Sequence, residues 1–297
     1  MVNIRIINRG NKKYYYLEHT IRANGGFSNK RLYLGNNLPK NIGEIKEKFL
    51  YGLFEGVYGR ELEAIKESWN KEYGNYPQSA KEKYIESFMI RFTYNTSKIE
   101  GSTLTLKETA DLLQEQVTPK NKALKFVREA EAHKSIFYQM LENTNKLNLA
   151  TVLYWHKELF KEADPEIAGK IREHPVAIAR SKVELPLPAE LSSLLKEFFE
   201  WYNKYYGKIN PVLMAALVHL KFVSIHPFSD GNGRISRLMM NHTLNSLGYP
   251  MLNIEYANRN AYYTALERSQ TRKKEETFML YTVKRYLKEY ASLRKRR

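Results

Sequence analysis

From residue 42 almost to its end, the chain places apolar residues three or four positions apart, the spacing that puts them on one face of an α-helix. In the first such segment, Ile45, Phe49 and Leu53 follow this rule. The segments with this pattern are 42–70, 79–97, 106–116, 123–143, 148–161, 189–206, 211–225, 233–247, 260–270 and 275–293. Amphipathic helices bury their apolar faces against one another, so the pattern predicts a mainly α fold, a helical bundle.

The first forty residues have a different pattern. Strand-forming residues, among them Tyr14–Tyr16 and Ile21, are interrupted by the turn sequences NRGN and ANGG. Residues 24–26 can adopt the positive φ that a hairpin loop requires. We therefore predict a small three-stranded antiparallel β-sheet ahead of the bundle.

One later stretch, PVAIARSKVELPLP at residues 175–188, also departs from helical spacing. Its alternation on either side of Arg180 and Ser181 is typical of two brief strands. We predict a short β-hairpin standing out from the helices.

The positive charge lies mainly at the two ends of the chain. Lys and Arg number 48 against 32 Asp and Glu, a formal net charge of +16. Residues 1–40 hold eight basic residues and one acidic residue, net +7, and residues 284–297 hold seven and one, net +6. Such ends leave nucleic-acid binding open, but charge runs more often form a solvated surface, so we expect nucleic acid to be an unlikely partner.

Composition excludes several other classes of protein. No stretch approaches the roughly 18 to 20 apolar residues of a membrane-spanning helix, and MVNIRIINRG lacks the apolar run of a secretory signal. The chain has no cysteine, which excludes disulfides, cysteine-based zinc sites and thiol nucleophiles. We expect a cytoplasmic protein with no membrane contact, whose chemistry uses oxygen, nitrogen or a bound metal.

Residues 226–237, HPFSDGNGRISR, concentrate reactive side chains between two predicted helices. Gly231 and Gly233 free the backbone where the second helix begins, so its amide groups and dipole can hold an anion such as phosphate. Asp230 offers a carboxylate of the kind that Mg²⁺ uses when it bridges phosphates. The spacing predicts a phosphate cradle with a place for a metal beside it.

Three more side chains of this segment extend the set. Arg234 and Arg237 are three residues apart on one helix face, and each can bind phosphate oxygens through two nitrogens. His226 has an ordinary pKa suited to accepting a proton near neutral pH. Singly, these are more often turn, structural or solvated residues, but their density predicts phosphate binding. A metal-hydrolase site is the weaker alternative, because HExxH is absent and no other histidine has ligand spacing to His226.

The same segment resembles the signature of the Fic family, His-x-Phe-x-Asp/Glu-Gly-Asn-Gly-Arg-x-x-Arg, at every defined position. The resemblance extends from about residue 85 to 290, because GKIR at 169–172, PLPAEL at 186–191 and AYYTALE at 261–267 also look like this family. It implies a Fic-type helical bundle with a hairpin flap. It also implies a nucleotidyltransferase that moves AMP from ATP, with Mg²⁺, to a Ser, Thr or Tyr hydroxyl of a target protein.

The residue patterns and the resemblance together predict a domain organisation. A basic β-sheet module would occupy residues 1–40, N-terminal helices with an inhibitory helix would occupy 41–104, and the catalytic core would occupy 105–297.

Roles follow from the resemblance position by position. His226 would be the general base, Asp230 the Mg²⁺ ligand and Arg237 the ligand of the γ-phosphate, while Phe228 would anchor the loop in the core. The hairpin at 176–185 would hold the target by strand addition. The implied nucleotide-binding set is Asp230, Gly231, Asn232, Gly233, Arg234, Ile235, Ser236, Arg237, Tyr262, Tyr263, Gln270, Ser181, Lys182 and Val183.

A second motif, TSKIEG at residues 96–101, resembles the inhibitory sequence Ser/Thr-x-x-x-Glu-Gly/Asn of the same family, with Thr96, Glu100 and Gly101 in place. It implies that Glu100 pairs with Arg237 and holds transfer back. Two alternatives stay open: hydrolytic removal of AMP at the same site, with Glu100 orienting a water, and a nucleotide-regulated binding module whose basic ends contact nucleic acid. A homodimer is plausible.

Overall fold

The computed structural model describes residues 2–23, 26–178 and 181–294. The chain divides into two compact units with the bounds Met1–Ala64 and Ile65–Arg297. Helix α1, Ile42–Gly74, runs through the boundary between them. The division into 1–40, 41–104 and 105–297 stays a prediction.

The first unit begins with an antiparallel sheet in the order β1-β2-β3, formed by β1 (Asn3–Arg9), β2 (Lys12–Ala23) and β3 (Gly26–Gly35). Leu17, His19 and Ile21 of β2 are buried, so one face of the sheet is covered, while Glu18 and Thr20 face the other way. The predicted N-terminal sheet is confirmed. Asn24 and Gly25, predicted to form its hairpin loop, lie outside the described residues.

The remaining elements are helices, which confirms the predicted fold class. They are α2 (Gln78–Ile99), α3 (Leu106–Glu115), α4 (Leu124–Glu142), α5 (Leu149–Phe160), α6 (Leu191–Tyr205), α7 (Pro211–Ile225), α8 (Asn232–Ser246), α9 (Arg259–Thr271), α10 (Glu275–Glu289) and α11 (Ala291–Arg294). Short 3₁₀ turns at Pro188–Glu190 and Tyr256–Asn258 precede α6 and α9. Among the described residues, none of the helices has the length and apolarity to cross a membrane.

Helix α7 is the centre of the second unit, because its sequence, PVLMAALVHLKFVSI, is apolar on nearly every side. It packs against α6, α8 and α10. Asn210 caps its first turn by accepting a hydrogen bond from the amide of Val212 at 2.9 Å, and Pro211 occupies the first helical position, where a missing amide costs nothing. These features fix where α7 begins and therefore fix the position of His226 at its C-terminal end.

The last predicted helix, 275–293, is interrupted at Tyr290. Tyr290 has φ −103° and ψ 29°, which ends α10, and its hydroxyl donates a hydrogen bond to the carbonyl oxygen of Met251. A buried tertiary contact thus overrides the helical periodicity on which the prediction rested.

The two strands predicted within residues 175–188 are wrong for the described residues 175–178 and 181–187, which belong to no strand. The amide of Lys182 donates to the carboxylate of Glu267 at 3.0 Å, and the amide of Val183 donates to Oγ of Ser181 at 3.3 Å. These two amides therefore donate to side chains and not to a neighbouring strand. An isolated two-stranded hairpin is also only marginally stable. Arg180, at the predicted tip, lies outside the described residues.

Candidate active site

The motif forms a tight turn between the C-terminus of α7 and the N-terminus of α8. His226 ends α7 in the left-handed conformation, with φ 52°, and Gly231 has φ 81° just before α8. The side chain of Asn232 accepts from the amide of Phe228 at 2.9 Å and donates to the carbonyl oxygen of Phe228 at 2.8 Å. A Cβ on Gly231 would lie 2.5 Å from the ring of Phe160, so only glycine fits here. The turn is therefore closed by its own residues.

Phe228 anchors this turn, as the resemblance implies, and His156 is its partner. The rings of Phe228 and His156 are stacked with centroids 3.8 Å apart. Nε2 of His156 donates to the carbonyl oxygen of Asp230 at 3.0 Å, and Nδ1 accepts from the amide of Gly169 at 2.9 Å. This pattern requires the neutral ring, since a protonated Nδ1 could not accept. Sequence reasoning missed His156 because its partners are distant along the chain.

We predict that the second unit loses stability as the pH falls below about 6.5, the ordinary pKa of histidine. Burial lowers the pKa of His156 to about 4, so between these values the unfolded chain binds a proton that the folded one does not. The free energy of unfolding should therefore fall with decreasing pH, by about 1.4 kcal/mol per pH unit for this one group.

Thermal melts between pH 7 and pH 4.5 measure this effect. The pKa values of His133, His219, His226 and His242 are also lowered by burial, so the whole protein should show a steeper dependence than one group gives. His156→Gln should reduce the slope by about one proton. A melting temperature that does not change over this range would contradict the neutral, buried histidines.

His226 is held with one ring nitrogen available as an acceptor. Its Nδ1 lies 3.1 Å from the carbonyl oxygen of Val223, which can only accept, so Nδ1 carries the hydrogen and Nε2 of the neutral ring is an acceptor. Burial lowers the pKa of His226 below its ordinary value, which keeps the ring neutral at physiological pH. This is the state that a general base needs.

Arg172 fixes the backbone around His226. Its buried guanidinium donates to the carbonyl oxygens of His226 at 2.8 Å, His174 at 3.0 Å and Pro186 at 2.7 Å. The last two residues lie near the two ends of the 175–188 segment, so one side chain joins that segment to the turn. In the sequence, Arg172 is marked only as part of the family-like stretch GKIR, and no role was predicted for it.

Arg172→Met should free both ends of the 175–188 segment and leave three carbonyl oxygens without their donor. Each unpaired buried group costs about 1–3 kcal/mol of stability, so the melting temperature should fall by several degrees. Limited proteolysis should then cut within the segment sooner than in the parent. Arg128→Met is the matched control, because that exposed arginine donates to one carbonyl oxygen, that of Glu162. Equal cleavage of the two variants would contradict the role of Arg172.

Asp230 and Arg234 form an ion pair at the start of α8. Oδ2 of Asp230 lies 3.0 Å from Nη2 of Arg234, and Oδ1 accepts from the amide of Gly231 at 2.6 Å. Burial would raise the pKa of Asp230, but the charge of Arg234 outweighs it and the pKa is lowered. Arg234 also pairs with Glu129 at 2.7 Å. Its guanidinium is thus held by two carboxylates, a pairing with α4 that sequence reasoning missed.

The side chains around Asp230 fit an Mg²⁺ site only if phosphate oxygens supply further ligands to the metal. Within the described ranges there is no group of three or more His, Asp or Glu side chains that could hold a metal alone. Mg²⁺ typically binds one or two protein carboxylates, with phosphates and water filling its other positions. Asp230 is 44% exposed, and Nζ of Lys125 lies 4.0 Å from its Oδ2. A single, partly exposed carboxylate beside the predicted phosphate site matches this pattern of Mg²⁺ coordination.

The amides predicted to form the phosphate cradle lie at the N-terminus of α8. Ile235 donates the first i to i−4 bond, to the carbonyl oxygen of Gly231 at 2.9 Å, so the amides of residues 232–234 precede the helical ladder. Ile235 and Ser236 are buried, and Oγ of Ser236 donates to the carbonyl oxygen of Gly233 at 3.0 Å. A Cβ on Gly233 would clash with Oε1 of Glu100. The carboxylate of Glu100 therefore sits against the start of α8, where an anion is attracted.

Arg237 is fully buried and reaches α2. Its Nη2 pairs with Oε1 of Glu100 at 2.6 Å and also donates to the carbonyl oxygen of Thr96 at 3.2 Å, while Nε donates to the hydroxyl of Thr96. Burial would lower the pKa of Arg237, but the hydroxyl of Tyr262 and the carboxylate of Glu100 raise it above its ordinary value. The structure thus brings together Thr96, Glu100 and Arg237 as expected. Gly101, with φ 97°, follows where α2 ends.

The three predicted residues of α9 lie in different surroundings. The hydroxyl of Tyr262 accepts from Nη1 of Arg237 at 3.1 Å and lies 2.9 Å from Nε2 of buried His219. Tyr263 is 44% exposed and donates to the carbonyl oxygen of Ile99, near the end of α2, at 2.9 Å. Nε2 of Gln270 is buried without a hydrogen-bond partner among the described residues. The predicted adenine contact of Gln270 stays a prediction.

The 175–188 segment is tied to the same helix. Glu267 of α9 accepts hydrogen bonds from Oγ of Ser181 at 3.4 Å and from the amide of Lys182 at 3.0 Å. Val183 bonds to Ser181. Sequence reasoning named these three residues but missed Glu267, which links them to the helix that carries Tyr262 and Tyr263.

Chemically, the site offers an acceptor nitrogen on His226, a helix N-terminus with a metal-competent carboxylate, and a buried arginine occupied by a glutamate. These groups come from α2, α7, α8 and the turn at 226–232. The arrangement can bind a phosphorylated ligand at α8 and remove a proton beside it.

Known proteins resemble this chain in sequence. Residues 146–244 match the sequence model of the Fic/DOC family. The chain is similar to a relative from Aedes aegypti named "Protein adenylyltransferase Fic", with 33% identity over 195 residues, which is 64% of this chain and 38% of that protein. A relative of the same name from Drosophila yakuba is 33% identical over 211 residues, 69% of this chain and 40% of its own length. The chain thus spans about two fifths of the length of these curated relatives.

Solved structures show the same fold. A Fic-domain-containing signalling protein from Bacteroides thetaiotaomicron superposes with a TM-score of 0.72 and 25% identity, covering 79% of this chain and 96% of that one. Fic-1 from C. elegans superposes with a TM-score of 0.68 and 22% identity, covering 88% of this chain and 79% of that one, a likeness of fold alone.

Proposed function

The chain contains a domain of the Fic/DOC family at residues 146–244, and from that premise we propose that the protein is a protein adenylyltransferase. It would transfer AMP from ATP to a Ser, Thr or Tyr hydroxyl of a target protein. The observation that carries the proposal is the turn at 226–232, which fixes Nε2 of His226 as an acceptor beside the N-terminus of α8. The names of the relatives support the same reaction.

The mechanism follows from these residues. Nε2 of His226 accepts the proton of the target hydroxyl, whose oxygen then attacks the α-phosphorus of ATP. The bond from that phosphorus to the bridging oxygen breaks, and diphosphate leaves. The amides at the start of α8 and the guanidinium of Arg234 stabilise the charge on the phosphoryl oxygens, because they are already oriented. Asp230 would hold Mg²⁺, which supplies charge neutralisation at the phosphates when bound.

The remaining predicted contacts belong to this proposal too. Arg237 would bind the γ-phosphate once Glu100 leaves it. Tyr262, Tyr263 and Gln270 would line the adenosine site. The 175–188 segment would lie beside the target, held by Arg172 and Glu267.

Incubation of the protein with Mg²⁺ and ATP labelled in its adenine ring tests the proposal. We expect label that stays on the protein through a denaturing gel. Label released from pre-modified protein, rather than gained, would favour hydrolytic removal of AMP, with Glu100 orienting the water. Nucleotide binding without covalent label in either direction would favour the binding module.

Metal dependence gives a separate prediction. Asp230→Ala leaves the cation held mainly by phosphates and water, so the Mg²⁺ concentration for half-maximal transfer should rise by about tenfold or more. A metal titration of transfer measures this, with Asp230→Asn as the variant that keeps the size of the side chain. Unchanged transfer in EDTA would remove the metal from the mechanism.

A further inference from the structure

The exposed face of the N-terminal sheet carries aromatic and basic side chains together. The strand register places Arg9 opposite Lys12, and it places Tyr16 between Arg5 and Tyr33. Because side chains alternate along a strand, these residues share one face with Tyr14. We call it the tyrosine face: Arg5, Arg9, Lys12, Tyr14, Tyr16 and Tyr33.

The other face of the sheet is the one that the fold uses. Leu17, His19 and Ile21 alternate with the residues of the tyrosine face and are 0%, 8% and 4% exposed. Burial of that face gives the sheet its stability. On the tyrosine face, Tyr14 and Tyr16 are half-buried and Tyr33 is 51% exposed, so packing does not account for the ring of Tyr33.

The three rings form a contiguous platform. The ring centroids of Tyr16 and Tyr33 lie 5.1 Å apart, and those of Tyr14 and Tyr33 lie 6.3 Å apart. The hydroxyl of Tyr33 donates to Oδ1 of Asn36 at 3.0 Å, which holds the ring in place. Exposed aromatic rings at fixed positions are surfaces on which unpaired bases stack, whatever their sequence.

The charge of the same face favours a polyanion. Glu18 is the only acidic residue among the first forty, and it is neutralised by Arg5 at 3.1 Å and Arg31 at 3.2 Å. Arg9 and Lys12 are exposed at the end of the face, next to Tyr14. A nucleic-acid strand whose phosphates contact Arg9 and Lys12 would place its bases beside the tyrosine rings.

We propose that the tyrosine face binds single-stranded nucleic acid, with Arg9 and Lys12 neutralising phosphates and Tyr33 stacking on a base. The proposal does not depend on adenylyl transfer. The charge count alone left nucleic acid an unlikely partner. The proposal goes beyond that count, because the strand register places the tyrosine rings and the cations on the same face of the sheet. An acidic protein surface would use the cations but not the rings.

Fluorescence anisotropy of the full chain with labelled oligo(dT) and oligo(U) of about 20 nucleotides, a length that spans several stacking sites, tests this. Arg9→Ala/Lys12→Ala should weaken binding about tenfold and reduce the slope of log K against log salt by about 1.4, since each lost phosphate contact contributes about 0.7. Tyr33→Ala should weaken binding about fivefold or more.

The matched control is Lys13→Ala/Lys30→Ala, which removes the same charge from exposed positions on the opposite face. It should bind almost as the parent does, and thermal melts establish that all variants are folded. Three results would overturn the proposal: a dissociation constant weaker than about 10⁻⁴ M at low salt, equal losses in the control, or binding that heparin matches and Tyr33→Ala leaves unchanged.

Discussion

Replacement of His226 by alanine should abolish adenylyl transfer while leaving the affinity for ATP nearly unchanged. In the proposed mechanism Nε2 of His226 acts on the target hydroxyl and not on a phosphate, so its loss should remove a proton acceptor and no phosphate contact. General-base catalysis typically contributes about 10²- to 10⁴-fold, and the rate should fall by that factor. Transfer of label and equilibrium binding of ATP are measured on the same preparation.

His226→Asn is the control that separates chemistry from folding. His226 has a left-handed backbone, φ 52°, which asparagine tolerates better than alanine does. The asparagine amide can also donate to Val223, as Nδ1 does now. We expect His226→Asn to melt near the parent temperature and to be as inactive as His226→Ala. If ATP binding falls as far as transfer in both variants, His226 is a phosphate-binding or structural residue.

Glu100→Gly should raise transfer by at least several-fold, because Glu100 now occupies the guanidinium that ATP would need. The carboxylate lies 2.6 Å from Nη2 of Arg237 and against the start of α8. Thr96 bonds Arg237 through both its hydroxyl and its carbonyl oxygen, so the guanidinium should keep its orientation when Glu100 is gone. A pre-oriented arginine gains a γ-phosphate contact without reorganisation.

A double-mutant cycle tests whether one contact carries this effect. Arg237→Ala should lower transfer and should erase the gain from Glu100→Gly, since changes that share a contact are not additive. Glu100→Gln keeps the length of the side chain and removes its charge, so it should give part of the gain. Breaking a buried pair also destabilises the fold, and melts must accompany the rates. A gain that survives in the Arg237→Ala background would contradict the inhibitory pair.

Local patterns predicted the fold and the centre of the site. The helices follow from apolar spacing, and at the start of α3 Thr105 and Glu108, three residues apart, form a capping box. The turn at 226–232 is also local, since Asn232 and Phe228 are four residues apart. Such features depend on residues that are close along the chain, so they can be predicted from the sequence.

Contacts between residues that are distant along the chain could not be predicted from the sequence. Arg172 bonds to the carbonyl oxygen of His226, 54 residues away, and His156 to that of Asp230, 74 residues away. Nothing in the text around Glu129 or Glu267 marks either carboxylate as a partner of the site. The pairing of Glu100 with Arg237 was foreseen through the family motif and not through spacing.

The wrong prediction of two strands at residues 175–188 also results from a contact between residues that are distant along the chain. Alternation at residues 175–188 is a strand pattern, but Glu267 accepts the amide hydrogen of Lys182 that a ladder would have used. Long-range partners decide whether an alternating segment becomes a strand.

Parallel incubations of Glu100→Gly with ATP labelled at the α-phosphorus and with ATP labelled at the γ-phosphorus test the central proposal most directly. Transfer of AMP keeps the α-phosphorus on the protein and releases the γ-phosphorus with diphosphate. We expect stable label from the α-labelled nucleotide alone, and none when His226 is also replaced. Label from the γ-position, or α-label that persists without His226, would contradict the account.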